Sequence, residues 1–158
     1  MKPVQQWINE YAESHQNPIN VKIHWICVPL IMLSIIGLLA NIKFESYLFL
    51  NIIEINHAGT LLIILGCVYY FFLSKKILLG MIPTSLIMLA VIDWLSTLNY
   101  PLWKISLVIF ILSWVAQFYG HKIEGKKPSF FIGNINQSMF FNLLIYLLAI
   151  ICLLFKIE

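Results

Sequence analysis

The chain has 158 residues, of which 61% are apolar, 15% aromatic and only 11% charged, with a mean hydropathy of +0.88 and a formal net charge of +3. Soluble domains carry roughly a quarter charged residues, so this composition excludes a soluble globular fold and places the chain in a membrane. All ten basic residues are lysines, scattered between apolar runs, which excludes the basic stripe of a nucleic-acid-binding protein and the bidentate arginine fork that grips phosphate.

Residues 3–15 place Val4, Trp7, Ile8 and Tyr11 at helical spacing, with Gln5, Gln6, Asn9, Glu10 and Glu13 on the other side. That pattern predicts a short amphipathic helix lying in the membrane interface. His15-Gln16-Asn17-Pro18 then reads as a breaker. The uncharged run Trp25–Ile42 predicts the first membrane helix, with Pro29 near its start. Residues 43–57 mix Lys43, Glu45, Glu54 and His57 with apolar residues and are expected to form an interfacial connection. Ala58–Leu73 is the second predicted span and Ile77–Ile92 the third, running on to Leu98 with Pro83 inside it. Residues 102–120 are the fourth and 138–155 the fifth, with Phe130 and Phe131 dipping into the interface between them. No repeat, low-complexity tract or linker divides the chain. The expectation is an all-α polytopic membrane protein, a single integral membrane domain over 1–158 with about five transmembrane helices and an N-terminal interfacial helix.

The lysines orient it. With five spans and the N-terminus inside, Lys2, Lys22, Lys75, Lys76, Lys122, Lys126 and Lys127 fall on the cytoplasmic side and Lys43, Lys104 and Lys156 outside, a bias in the sense of the positive-inside rule. His15, His24, His121 and Glu124 then collect at the cytoplasmic helix ends, and His57 falls on the far side. Cys27, Cys67 and Cys152 lie inside apolar runs without metal-type spacing and read as small buried residues. No cleavable signal peptide is visible at the polar N-terminus.

The densest chemistry lies in Gln117-Phe118-Tyr119-Gly120-His121-Lys122-Ile123-Glu124-Gly125-Lys126-Lys127-Pro128. A helix continuing to Glu124 puts Gln117, His121 and Glu124 on one face. A histidine and a carboxylate three residues apart are one way for a helix to offer two metal ligands. Taken alone, the stretch reads more readily as a charged helix end at a membrane surface. Tyr11/His15, Asn20/His24 and Gln117/His121 are all i, i+4 pairs, so each histidine has a polar neighbour one turn earlier, suited to orienting its ring.

Tyr11-Ala12-Glu13-Ser14-His15-Gln16-Asn17-Pro18-Ile19-Asn20-Val21-Lys22-Ile23-His24, followed by Val28-Pro29, resembles the opening motif of the membrane 2-hydroxy fatty acid dioxygenases. Gln117-Phe118-Tyr119-Gly120-His121 with Glu124 and Lys126-Lys127-Pro128 resembles that family's second signature, and Leu89-Ala90-Val91-Ile92-Asp93 is similar to a weaker third block. The resemblance implies a non-haem iron enzyme of fatty-acid α-oxidation. It implies Fe(II) held by His15, His24 and His121, with Glu124 as a further ligand or as a group orienting one. Tyr11, Asn20, Asp93, Gln117, Lys126 and Lys127 would contact substrate or support the ligands. The implied partners are a long-chain 2-hydroxy fatty acid, O₂ and membrane lipid. The expected location is a bacterial inner membrane or the endoplasmic reticulum, with the site facing the cytoplasm.

A hydroxyl and a carboxylate on adjacent carbons form a five-membered chelate, and a histidine-rich site leaves room for that chelate and O₂. Two rivals remain open at this point. A bis-histidine haem protein would use His24 and His121 from neighbouring spans, and a non-enzymatic membrane scaffold would explain the composition alone.

Overall fold

The computed structural model describes residues 16–49 and 53–125. In chain order these form helix α1 (Pro18–Leu39), strands β1 (Lys43–Phe49) and β2 (Ile53–His57), and helices α2 (Ala58–Leu73), α3 (Lys75–Ser96) and α4 (Leu102–Glu124). The protein is mostly helical. Three helices, α1, α3 and α4, are long and apolar enough to cross a membrane. At 22, 22 and 23 residues they measure roughly 33–35 Å, against about 30 Å of hydrocarbon. The 16 residues of α2 reach only roughly 24 Å. The predicted interfacial helix at 3–15 and the fifth span at 138–155 lie outside the described residues.

The first helix begins seven residues before the expected Trp25, because Asn17-Pro18 starts a helix instead of breaking one. Asn17 Oδ1 accepts the Ile19 amide at 2.9 Å, and proline at the first helical position gives up an amide that had no intrahelical acceptor. Pro29 and Pro83 sit inside α1 and α3. Ser34, which is buried, donates its Oγ to the Ile31 carbonyl at 2.7 Å, and half-buried Thr84 donates its Oγ1 to the Gly80 carbonyl at 2.9 Å.

The connection expected at residues 43–57 is an antiparallel β-hairpin, so the described chain is not purely α. Ile53-Glu54-Ile55-Asn56-His57 alternates apolar and polar residues with the period of a strand. Lys43 pairs with His57, Tyr47 with Ile55 and Phe49 with Ile53, with an irregularity between Lys43 and Tyr47. Two strands alone are marginal, and this pair is anchored at its base by the Ala58 amide donating to the Ile42 carbonyl at 3.0 Å. α2 and α3 are joined by one extended residue, Ser74, whose amide closes α2 on the Tyr70 carbonyl.

The chain divides into two compact units, residues 1–30 with 112–158 and residues 31–111. Within the second, Ile31, Ile36, Tyr70, Ile77 and Ile92 are buried. Large apolar side chains such as Phe72, Leu79 and Ile87 face outward at 77%, 72% and 65% exposure, a surface suited to acyl chains and not to water.

Candidate active site

The first unit holds Asn20, His24, Gln117, His121 and Glu124. On α1, Asn17, Asn20 and His24 follow one another at three- and four-residue steps, and on α4 Gln117, His121 and Glu124 do the same, so each set lines one helix face. Asn20, His24, Gln117 and His121 are all buried. Buried ionisable and amide groups inside an apolar helical protein are costly and mark a functional site by default.

Three contacts tie the two faces together. The Glu124 carboxylate accepts the Gln16 amide at 3.0 Å, the Asn17 amide at 2.9 Å and Asn20 Nδ2 at 3.1 Å. It therefore sits on the positive end of α1, where backbone N–H groups have no helical acceptor. α4 ends at Glu124, and Gly125 takes φ 72°, which a glycine adopts without strain. On α1, His24 Nδ1 lies 3.0 Å from the Asn20 carbonyl. A carbonyl only accepts, so Nδ1 carries the proton and Nε2 the lone pair. The orienting group is thus the Asn20 backbone, while its side chain goes to Glu124.

The rings of His24 and His121 meet edge to face, centroids 4.9 Å apart and planes at 89°. With metal–nitrogen bonds of about 2.1 Å, two imidazoles sharing one metal at an angle between square and tetrahedral place their centroids roughly 4.5–5.5 Å apart. The observed pair fits two adjacent positions of such a centre, and a histidine whose Nδ1–H is held by a carbonyl is the usual form of a ligand. Haem fits poorly, because its two axial imidazoles face each other across the iron at roughly 6 Å or more, with the macrocycle between them. Among the described residues no group of three or more His, Cys, Asp or Glu side chains is arranged to hold a metal. His15, Tyr11, Lys126 and Lys127 lie outside the described residues.

Asp93 is exposed on α3 in the second unit, where its negative charge acts on His57. His57 caps α2, its Nδ1 accepting the Thr60 amide at 3.1 Å. Burial holds its pKa below the ordinary value, against an opposing pull from Asp93 and with a smaller lowering from the Lys43 charge. The sequence reading missed two residues with work to do here: Asn17, the cap, and Gly120, which packs against Asn20. A glycine well inside a helix, next to the histidine, was the available signal, because helices tolerate glycine only for a reason of space or backbone.

The family described as 2-hydroxy-palmitic acid dioxygenase Mpo1-like matches residues 1–154. The 2-hydroxy-palmitic acid dioxygenase MPO1 of Saccharomyces cerevisiae is 33% identical over 129 residues, covering 82% of this chain and 68% of that protein. No solved structure matches the chain significantly.

Proposed function

We propose that this chain, which belongs to the Mpo1-like family of 2-hydroxy-palmitic acid dioxygenases, is an Fe(II)-dependent membrane enzyme of fatty-acid α-oxidation. It takes R–CHOH–COOH and O₂ to R–COOH, CO₂ and water. Atoms and electrons balance in that equation, so no reductase, nicotinamide or 2-oxo acid enters. The observation that carries the reading is the His24–His121 ring pair, 4.9 Å apart on two different helices.

His24 and His121 hold the metal through nitrogens presented by α1 and α4, and His15, one residue before the Glu124-bound amide of Gln16, supplies the third imidazole. Iron, when bound, provides the centre at which the 2-hydroxy acid chelates and O₂ is activated. The Asn20 carbonyl keeps His24 in the Nε2 lone-pair tautomer. Glu124 acts through the backbone: it fixes residues 16, 17 and 20 and stays outside the ligand set. Gln117, buried one turn before His121, and Tyr11 are the residues assigned to the substrate head, and Lys126 and Lys127 those assigned to attracting its carboxylate. The acyl tail lies along the apolar helices. The finer topology belongs to the same proposal, with five spans, an interfacial N-terminal helix and the site at the cytoplasmic face.

The test is purification without oxygen in the presence of Fe(II), followed by addition of 2-hydroxypalmitate and O₂ and mass spectrometry of the products. The expected outcome is one iron per chain and a fatty acid one carbon shorter, formed only with O₂. Iron-loaded protein that leaves 2-hydroxypalmitate unchanged rejects the reaction, and protein that takes up no iron rejects the metal.

A further inference from the structure

We propose that Gly120 is a positioning residue, the notch into which Asn20 fits so that His121 can approach His24. The inference rests on the proposed function only for what the two histidines bind.

Gly120 is helical, and the one described glycine with positive φ is Gly125, so backbone conformation does not explain it. Space does. A Cβ at position 120 would overlap Asn20 Oδ1, with Ile23 Cδ1 a further 3.4 Å contact. A long flexible side chain would turn aside, but Asn20 has two rotatable bonds and is 0% exposed. Its Nδ2 is held by the Glu124 carboxylate at 3.1 Å. Turning the amide over would set its oxygen against a carboxylate, which only accepts. Asn20 Oδ1 is itself buried without a hydrogen-bond partner among the described residues. That is a cost the fold tolerates where the amide is needed for the bond on its other side.

The same two residues carry the ring pair. His121 follows Gly120 directly, and His24 Nδ1 is held by the Asn20 carbonyl. A methyl at 120 has to move α4 away from α1 or dislodge Asn20 from Glu124. Moving α4 opens the 4.9 Å ring contact directly, and dislodging Asn20 gives up one of the bonds by which Glu124 ties α4 to α1. Displacements of about 1 Å are enough to cost orders of magnitude in a preorganised site. Gly66 is the internal control: on α2, nothing lies within 4 Å of a Cβ built there.

The experiment uses the full chain in detergent without oxygen, reading Fe(II) affinity by chelator competition and folding by melting temperature. Gly120→Ala is expected to bind Fe(II) about 10- to 100-fold more weakly, the range typical of losing support behind a metal ligand, while Gly66→Ala binds as wild type does. In Asn20→Ala/Gly120→Ala the added methyl fills the space the amide leaves, so Fe(II) binding recovers in part. Gly120→Ala binding within about twofold of wild type overturns the proposal, and so does a double variant no tighter than Gly120→Ala. Should Gly120→Ala not accumulate as folded protein, the double variant must, and its failure to do so also overturns the proposal. A wild type that takes up no Fe(II) instead rejects the function proposed above. The notch is then judged on melting temperatures alone, where Asn20→Ala must cost less in Gly120→Ala than in wild type, and additive losses overturn it.

Discussion

Glu124, the last residue of α4, accepts the backbone amide of Asn17, the cap of α1, at 2.9 Å. With Gln16 and Asn20 it completes three hydrogen bonds to one carboxylate. A carboxylate engaged in this way neutralises the positive end of a helix and fixes the backbone beside His15. Such an anchor acts on the site without any need to touch a metal.

Glu124→Gln is accordingly expected to keep iron while weakening it. The neutral amide presents one oxygen and one NH₂ to three donors, so at least one bond is lost. Hydrogen bonds to a charged group contribute about 1.5–3 kcal/mol each, and the melting temperature falls accordingly. Iron affinity drops about 10- to 100-fold, as when support behind a ligand is removed. Iron analysis of the purified variant decides: near-complete loss of metal from a folded protein makes Glu124 a ligand.

His57 has a structural task instead, and it carries a pH dependence. Its Nδ1 accepts the Thr60 amide, which only the neutral ring can do. Its pKa in the fold is depressed chiefly by burial, which outweighs the upward pull of Asp93 and is helped by a smaller lowering from Lys43. The unfolded chain therefore takes up the proton first as pH falls below about 6.5. The stability that His57 contributes is whole above that pH and is lost as pH falls through the lower folded value. Asparagine caps helices without titrating. His57→Asn should thus keep iron and turnover and flatten the melting-temperature profile between about pH 7 and 5. A variant that loses iron as fully as His121→Ala would place His57 in the metal site.

The crossing of α2 is open to a direct test. At 16 residues it is shorter than the hydrocarbon layer by roughly 6 Å, yet the proposed five-span topology has it cross. In a chain whose native cysteines are replaced, cysteines at Lys43 and Lys76 should react with an impermeant maleimide from opposite sides of the membrane. Labelling from one side would make α2 re-entrant and remove a span.

Much of the architecture was open to reading because apolar run length is a local property. Ala58–Leu73 was bounded by charge and by Ser74-Lys75, and α4 by Pro101 and Gly125. The errors came from residues whose meaning depends on the third dimension. Asn17-Pro18 has the composition of a break and of a helix start alike, and the Glu124 carboxylate facing it, far along the chain, favours the start. Strict alternation in Ile53–His57 was a strand signal, masked by the mixture of Lys43, Glu45 and Glu54 with apolar residues in the connection. Helical spacing placed Gln117, His121 and Glu124 on one face, but no periodicity says what that face meets. The close approach of Gly120 to Asn20 and the meeting of the two imidazoles are products of packing.

The bond from Glu124 to Gln16 spans 108 residues of chain, and this gives the site a history. At synthesis rates of about 5–20 residues per second, the start of α1 waits roughly 5–20 s for its carboxylate to be made. Over that interval the hairpin and the helices between have to be made, while the first amides of α1 go without the carboxylate. Nascent chains arrested before residue 121 would thus carry His24 with its counterpart and its anchor both missing. Under the proposed function, the metal site is complete only once synthesis has passed residue 124, which would keep redox-active iron away from the unfinished site.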